Sequence, residues 1–230
     1  MTFASKPVIN IDVLVNGQAL ERVNVCKYLG IFIDSELKWT HHIDYVYCKL
    51  VKFASIFYKL RDRLPAAILK QIYYAFVNPH ILYGVELYAN THRTYLDKLM
   101  KLNNKLLRIL QSKPVFTPVN ELYACYNALQ ITDLHKLQLL VFVHKFMHHK
   151  ELLPAVFVND NYFIINEQVH SYNTRTRKDI HMYSINMSFG QRCVKNKAAG
   201  LWNDLPQHLK RTLSVQQFKF NVKNYLLSMH

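Results

Sequence analysis

From Ile43 through Val46, Tyr47, Leu50, Phe53, Ala54 and Phe57 to Leu60, apolar residues recur at three- and four-residue steps. That period is the strongest constraint on the fold, because it builds an amphipathic helix and cannot serve a strand. Lys49, Lys52 and Lys59 fall elsewhere, with a mean direction roughly 130° from the apolar stripe at about 100° per residue. The helix therefore buries one side and offers a basic one. Thr40 is placed to cap it. Phe53 and Phe57 lie on the apolar stripe, which marks them as packed side chains rather than stacking platforms.

The same pattern returns over residues 94–112, with Leu96, Leu99, Met100, Leu102, Leu106, Leu107 and Leu110 as the stripe. Lys98, Lys101, Lys105 and Arg108 accompany it as a second basic face. Between these segments, Pro65 suits the first turn of a helix through "AAILKQIYYAFV". Pro79 ends that helix or starts another, and "PHILYGVELYA" reads as a buried one. "SKPVFTP" at 112–118 is the clearest break. Residues 119–128 and 132–149 read as helical, and a polar, less periodic segment covers about 159–188. Helices over 190–203 and 214–228 close the chain, the last capped by Ser214.

The first forty residues have a different rhythm. "VINIDVLV" at 8–15 alternates as a strand does, and "NGQ" at 16–18 signals a hairpin turn. Residues 19–25 and 27–33 are two further extended runs. Gly30 sits inside the second, a position where a strand glycine marks a bulge or a close approach to the backbone. The expected fold is mainly α with a small N-terminal antiparallel β element (α+β).

Composition narrows function. Lys and Arg number 29 against 15 Asp and Glu, a net charge of +14. Such an imbalance points to a polyanionic partner, nucleic acid or an acidic surface, with an inert solvated basic surface as the alternative. No apolar run approaches the roughly 20 residues of a membrane span, and residues 1–20 do not read as a signal peptide. The expected location is intracellular, nuclear or cytoplasmic, without a membrane partner. Cys26, Cys48, Cys125 and Cys193 lack metal-ligand spacing and read as free, mostly buried thiols.

Catalytic patterns are missing. Two-metal phosphoryl or nucleotidyl transfer needs clustered carboxylates, and the acids here are scattered. Asp34 and Glu36 share a strand face but read as a solvated turn. His144 and His148 stand one helical turn apart, yet position 145 is Lys where a zinc protease places Glu. These read as surface histidines, with His148 and His149 open to phosphate contact. No catalytic or metal-binding residue is assigned. The chemistry that stands out is cations interleaved with aromatics, densest in "KLVKFASIFYKLRDRL". Lysine and arginine neutralise phosphates. The nucleic-acid-binding candidates are Lys49, Lys52, Lys59, Arg61, Arg63, Lys101, Lys105, Arg108, Arg175, Arg177 and Lys178.

"VCKYLGIFIDSELKWTHHI" followed by "KLRDRLPAAILKQIYYAFVNPHILYG" resembles the region just after the catalytic palm of non-LTR (LINE-type, jockey/CR1-like) retrotransposon reverse transcriptases. "HSYNTRTRK", "GLWNDLP" and "SVQQFKFNVKNYLL" resemble the C-terminal tail of the same reading frames, in the same order. The resemblance implies a primer grip matched by Tyr28, Leu29 and Gly30, where a hairpin holds the primer 3′ end. It also implies a helical thumb that tracks the template–primer duplex. The implied organisation is 1–38 as the end of the palm with the primer grip, 39–113 as thumb, 114–160 as a helical connection, and 161–230 as a basic tail with two helices.

The family's Tyr-x-Asp-Asp hairpin is not in this sequence. The resemblance thus implies a C-terminal fragment of an RNA-directed DNA polymerase that binds template–primer and does not polymerise alone. No cofactor is expected in this chain, Mg²⁺ serving only the intact polymerase. Expected partners are an RNA–DNA hybrid or duplex, through its phosphates, and the missing palm and fingers where these are supplied. A stand-alone basic nucleic-acid-binding module and a domesticated protein-interaction domain are the alternatives.

Overall fold

The chain, seen in a computed structural model, is described over residues 13–159, 162–172 and 175–229. It is mainly helical, with two small two-stranded antiparallel sheets near its start. It divides into two compact units. One comprises the residues up to Gly84 together with Thr91–Leu122, the other Val85–Asn90 together with Tyr123 onward.

The first unit begins with β1 (Leu14–Val15) and β2 (Gln18–Ala19), joined by Asn16 and Gly17 at φ 52° and 78°. Two successive positive φ values give the turn whose twist suits a tight hairpin. The part of the expected first strand at 8–12 lies outside the described residues. A second hairpin follows, β3 (Val25–Tyr28) with β4 (Ile31–Asp34), in the register Lys27↔Phe32 and Tyr28↔Ile31. The expected continuous strand over 27–33 is therefore corrected. Leu29 and Gly30 form its two-residue turn, at φ 46° and 82°.

Asp34 is corrected too. It is buried, and its two carboxylate oxygens accept the backbone N–H groups of Lys38 (2.9 Å) and Trp39 (2.7 Å). It stabilises a turn in which Leu37 and Trp39 are left-handed, and so delivers the chain into α1 (Thr40–Val51). Thr40, expected to cap this helix, lies inside its first turn, and no side chain caps α1. Glu36 remains exposed, paired with Lys38.

The helical stripe from Ile43 to Leu60 is α1 and α2 (Phe53–Leu60), broken only at Lys52. Next come α3 (Ala66–Ile72), a π-helical turn at Tyr73–Val77 and α4 (Asn78–Leu82), one helical run with a widened middle. The Asn78 N–H reaches back to the Tyr73 carbonyl. The wider turn carries the helix past Pro79, which has no N–H to donate. The run then stops: Tyr83 is extended and Gly84 is at φ 71°. The buried helix expected across "PHILYGVELYA" is thus interrupted, and α5 (Val85–Tyr88) continues in the second unit. α6 (Arg93–Leu110) supplies the long apolar stripe against which α1, α2 and α3 pack. Within this core the Tyr73 hydroxyl pairs with the Asn103 side chain, at 3.3 Å from Oδ1.

α7 (Val119–Tyr126) carries the boundary between the units. The second unit is built around α8 (Ile131–His148), against which α5 packs. The chain continues through α9 (Ala155–Asn159), α10 (Asn166–Val169), α11 (Ser188–Arg192), α12 (Val194–Asn203), α13 (Gln207–Lys210) and α14 (Val215–Ser228). α12 and α14 pack on α8 around Leu140, Val143, Trp202, Phe218 and Val222. Ser214 caps α14 as expected, its side chain accepting from the Gln217 N–H. The helix expected over 190–203 is split at Cys193 into α11 and α12. No described helix is long and apolar enough to cross a membrane.

Two further expectations change. Cys48, Cys125 and Cys193 are exposed and Cys26, on β3, is half-buried, and none of the four is in a disulfide. His144 is fully buried rather than superficial, stacked on Phe218 at 4.1 Å between ring centroids, with Nε2 2.6 Å from the Thr212 carbonyl.

Burial pushes the imidazole of His144 below its ordinary value. It takes His42 in the first unit to about 4, with Lys49 adding to the effect. His135 in the second falls to about 3, through burial and then the Lys197 charge. The unfolded chain, with histidines near 6.5, takes up protons before the fold does. This stability is complete above about pH 6.5 and is lost as the pH falls toward 4 for His42 and toward 3 for His135. By pH 5, above the main carboxylate range, His42 and His135 each account for about 2 kcal/mol of lost stability. Urea midpoints measured from pH 7 to pH 5 should fall accordingly, and a flat profile would contradict these burials.

Candidate nucleic-acid interface

The hairpin tip presents Tyr28 and Leu29, both exposed, with Gly30 beside them. Leucine is strained in a left-handed conformation, by roughly 1–2 kcal/mol, and needs something to hold it. The Tyr83 hydroxyl donates to the Leu29 carbonyl. A Cβ on Gly30 would lie 3.5 Å from the Tyr83 ring, an ordinary contact. Its left-handed φ, not crowding, is therefore what calls for glycine. At Gly84 the left-handed φ likewise calls for glycine, and a Cβ there would meet the tip of Ile31, Cδ1, at 2.7 Å, so that side chain would have to shift. The break in the helix after Leu82 thus forms the seat of the hairpin.

Beside the tip is a cleft of about 300 Å³ lined by Gly30, His42, Tyr45, Lys49, His80 and Tyr83, among others. Two lysines approach the Tyr45 ring. Lys49 Nζ lies 4.4 Å from the Tyr45 ring centroid and Lys27 Nζ 5.5 Å. A hydrogen bond with Lys49, and then the charges of Lys49 and Lys27, lower the Tyr45 phenol from its usual value. Burial followed by the Lys49 charge lowers His80, so both cleft histidines favour the neutral form. The His42 Nδ1 accepts the Phe32 N–H at 3.4 Å, which fixes the His42 ring against β4. The lining of the cleft joins one ammonium, Lys49, to aromatic rings without a carboxylate, and Lys27 adds a second cation at the Tyr45 ring, an arrangement suited to holding an anion.

The candidates fall in several places. Lys49, Lys52 and Lys59 are exposed and share one stripe with Tyr45. Arg61 lies over the Tyr58 ring at 4.9 Å, its Nε 3.3 Å from the Asp62 carboxylate, and Arg63 is exposed. Lys101 and Lys105 are exposed on α6, in line with Lys98, which pairs with Asp44 on α1. Asp44 is about 100° around α1 from the Lys49–Lys59 stripe, so the two basic faces do not merge. Arg108 is half-buried and donates to the Thr117 carbonyl at 3.1 Å. Arg175, Arg177 and Lys178 belong to the second unit, where Arg177 pairs with Glu167 at 2.6 Å. Among the described residues, no group of three His, Cys, Asp or Glu is arranged to hold a metal ion.

Sequence reasoning missed Lys27, Tyr45, His80 and Tyr83. Tyr45 and Lys49 were detectable as an i, i+4 pair. Lys27 required the Leu29–Gly30 turn, whose register sets it opposite Phe32.

Comparison with known proteins finds distant relatives over about half of the chain. Over 124 residues, 53% of the chain, it is 26% identical to "RNA-directed DNA polymerase from mobile element jockey" of Drosophila funebris. Over 117 residues, 50% of the chain, it is 27% identical to the protein of the same name from Drosophila melanogaster. These matches span 14% and 13% of the relatives' own lengths. No family model matches the chain, and no solved structure matches it significantly.

Gly84→Ala should destabilise the first unit more than Gly30→Ala, because it adds a clash to a cost of about 1–2 kcal/mol for the left-handed backbone. Urea unfolding of both variants checks the order, and equal losses would show that Ile31 does not press on Gly84.

Proposed function

Because the chain is distantly related to the reverse transcriptases of non-LTR retrotransposons, we propose that its first unit binds a template–primer duplex as primer grip and thumb. In this reading the Tyr28–Gly30 tip approaches the primer terminus. Lys27 and Lys49 neutralise phosphates beside it, and Lys52 and Lys59 continue the contact along α1 and α2. The observation that carries the reading is the pair of lysines gathered at the Tyr45 ring next to a hairpin tip held by Tyr83. A duplex held through its phosphates requires cations at fixed positions and no base-specific contacts. The domain roles follow: primer grip to residue 38, thumb over 39–113, helical connection over 114–160 and basic tail beyond. The carboxylates that would place Mg²⁺ belong to the intact polymerase, so this chain binds without polymerising.

A protein-interaction role is favoured by one separate observation. The first hairpin leaves Val13, Leu14, Val15 and Leu20 all at least half exposed. The same surface suits the palm of an intact enzyme.

Fluorescence anisotropy with a labelled RNA–DNA hybrid separates these readings. Binding should weaken steeply with salt, by a log–log slope of about 0.9 per neutralised phosphate. The double reversal Lys27→Glu with Lys49→Glu should weaken it at least about tenfold while leaving the circular dichroism spectrum unchanged. Salt-insensitive binding, or none, would contradict the proposal. Primer extension with Mg²⁺ should yield no product, and a product abolished by Lys49→Glu would overturn the non-catalytic part of it.

A further inference from the structure

The second unit holds a basic basin that the duplex-binding reading does not use. Its volume is about 690 Å³. Arg175, Arg177, Lys178, Lys210 and Arg211 line it, against a single acid, Asp179. Two of the cations are engaged. Arg177 pairs with Glu167 at 2.6 Å, and Lys210 donates to the Asn203 carbonyl at 2.9 Å with Asp179 3.7 Å away. Arg175, Lys178 and Arg211 are exposed and have no side-chain partner among the described residues. Three uncompensated cations around one concavity are a source of strong positive potential.

The wall of the basin is held in place. Three histidines at the end of α8 reach the segment that leads into α14. His148 Nε2 lies 3.2 Å from the Lys210 carbonyl, His144 Nε2 2.6 Å from that of Thr212 and His149 Nε2 2.7 Å from that of Leu213. These carbonyls are drawn toward α8, which orients the chain carrying Lys210 and Arg211. Trp202, Met147 and Leu213 add apolar surface to the lining. A fixed concavity with an apolar part and unneutralised cations around it matches a polyanion that also carries apolar faces.

We propose that this basin binds single-stranded nucleic acid, holding one or two nucleotides with their phosphates on Arg175, Lys178 and Arg211. Its volume is that of a pocket for a small molecule, roughly 300–1,000 Å³. A double helix, whose major groove alone is about 12 Å wide, does not enter. Several separated cations fit successive phosphates of a strand better than one phosphate of a free nucleotide. The basin therefore differs from the first unit's site in position and in the form of nucleic acid it takes, and it stands whether or not that site binds a duplex.

The test uses the full chain and a labelled oligothymidylate of roughly twelve nucleotides, followed by anisotropy. Arg175→Ala, Lys178→Ala and Arg211→Ala together should weaken binding at least about tenfold. They should also lower the salt slope by about 2, at about 0.7 per phosphate of a single strand. The triple Lys49→Ala, Lys52→Ala and Lys59→Ala should leave most of this affinity intact. Unlabelled thymidine monophosphate and a blunt duplex should compete poorly. Wild-type affinity in the first triple variant, with an unchanged circular dichroism spectrum, overturns the proposal. So does equal competition by the mononucleotide or the duplex. Lys178→Glu alone supplies a second reading should the triple variant fold poorly: weakened binding supports the basin and unchanged binding overturns it.

Discussion

The hydroxyl of Tyr83 on the carbonyl of Leu29 is the contact on which the first unit's site depends. It ties a hairpin tip, strained at Leu29, to the point where a long helical run stops. The run stops there because Tyr83 is extended and Gly84 left-handed, and Gly84 leaves the room that Ile31 occupies. Asp34 secures the other end of the same hairpin by accepting two backbone N–H groups as the chain turns into α1. With both ends fixed, Lys27 on β3 and Lys49 on α1 both come to the Tyr45 ring. Loss of the seat would leave the same residues present but unaligned.

Electrostatics gives that alignment its meaning. Of the acids close in sequence to the cleft, Asp34 has both oxygens committed to the backbone, and Asp44, next to Tyr45, is paired with Lys98 on another side of α1. Neither opposes Lys27 and Lys49. The buried histidines favour their neutral forms, so the cations that act near neutral pH are the lysines and arginines. The second unit reaches a similar result differently, with α8 histidines holding the backbone that carries Lys210 and Arg211. Both surfaces present cations that have no acid partner among the described residues.

Helical periodicity was legible throughout, because apolar stripes at three- and four-residue steps must be buried and α6 and α8 bury them. Ser214 and the Asn16–Gly17 turn were legible from local chemistry. The Leu29–Gly30 turn was not, because leucine carries no preference for a left-handed turn and is held there by Tyr83, 54 residues away. The same distance in sequence hid the break at Tyr83–Gly84, where local apolarity argued for a continuous helix. His144 looked like one of a surface group, and its burial depends on Phe218 and Thr212, far along the chain. The basic stripe of α1 was visible, but Lys27 reaches the site only through hairpin register. Kinship was legible in the motif order, and relatives found over about half the chain agree with it.

The proposed meeting of a primer terminus with the Tyr28–Gly30 tip, beside Lys27 and Lys49, is open to direct mapping. An RNA–DNA hybrid carrying a photoreactive group at the primer 3′ end can be cross-linked to the full chain and the adducts located by mass spectrometry. Adducts are expected on the tip and on the adjacent face of α1, suppressed at high salt. Adducts confined to the second unit, or spread over the surface without preference, would contradict it.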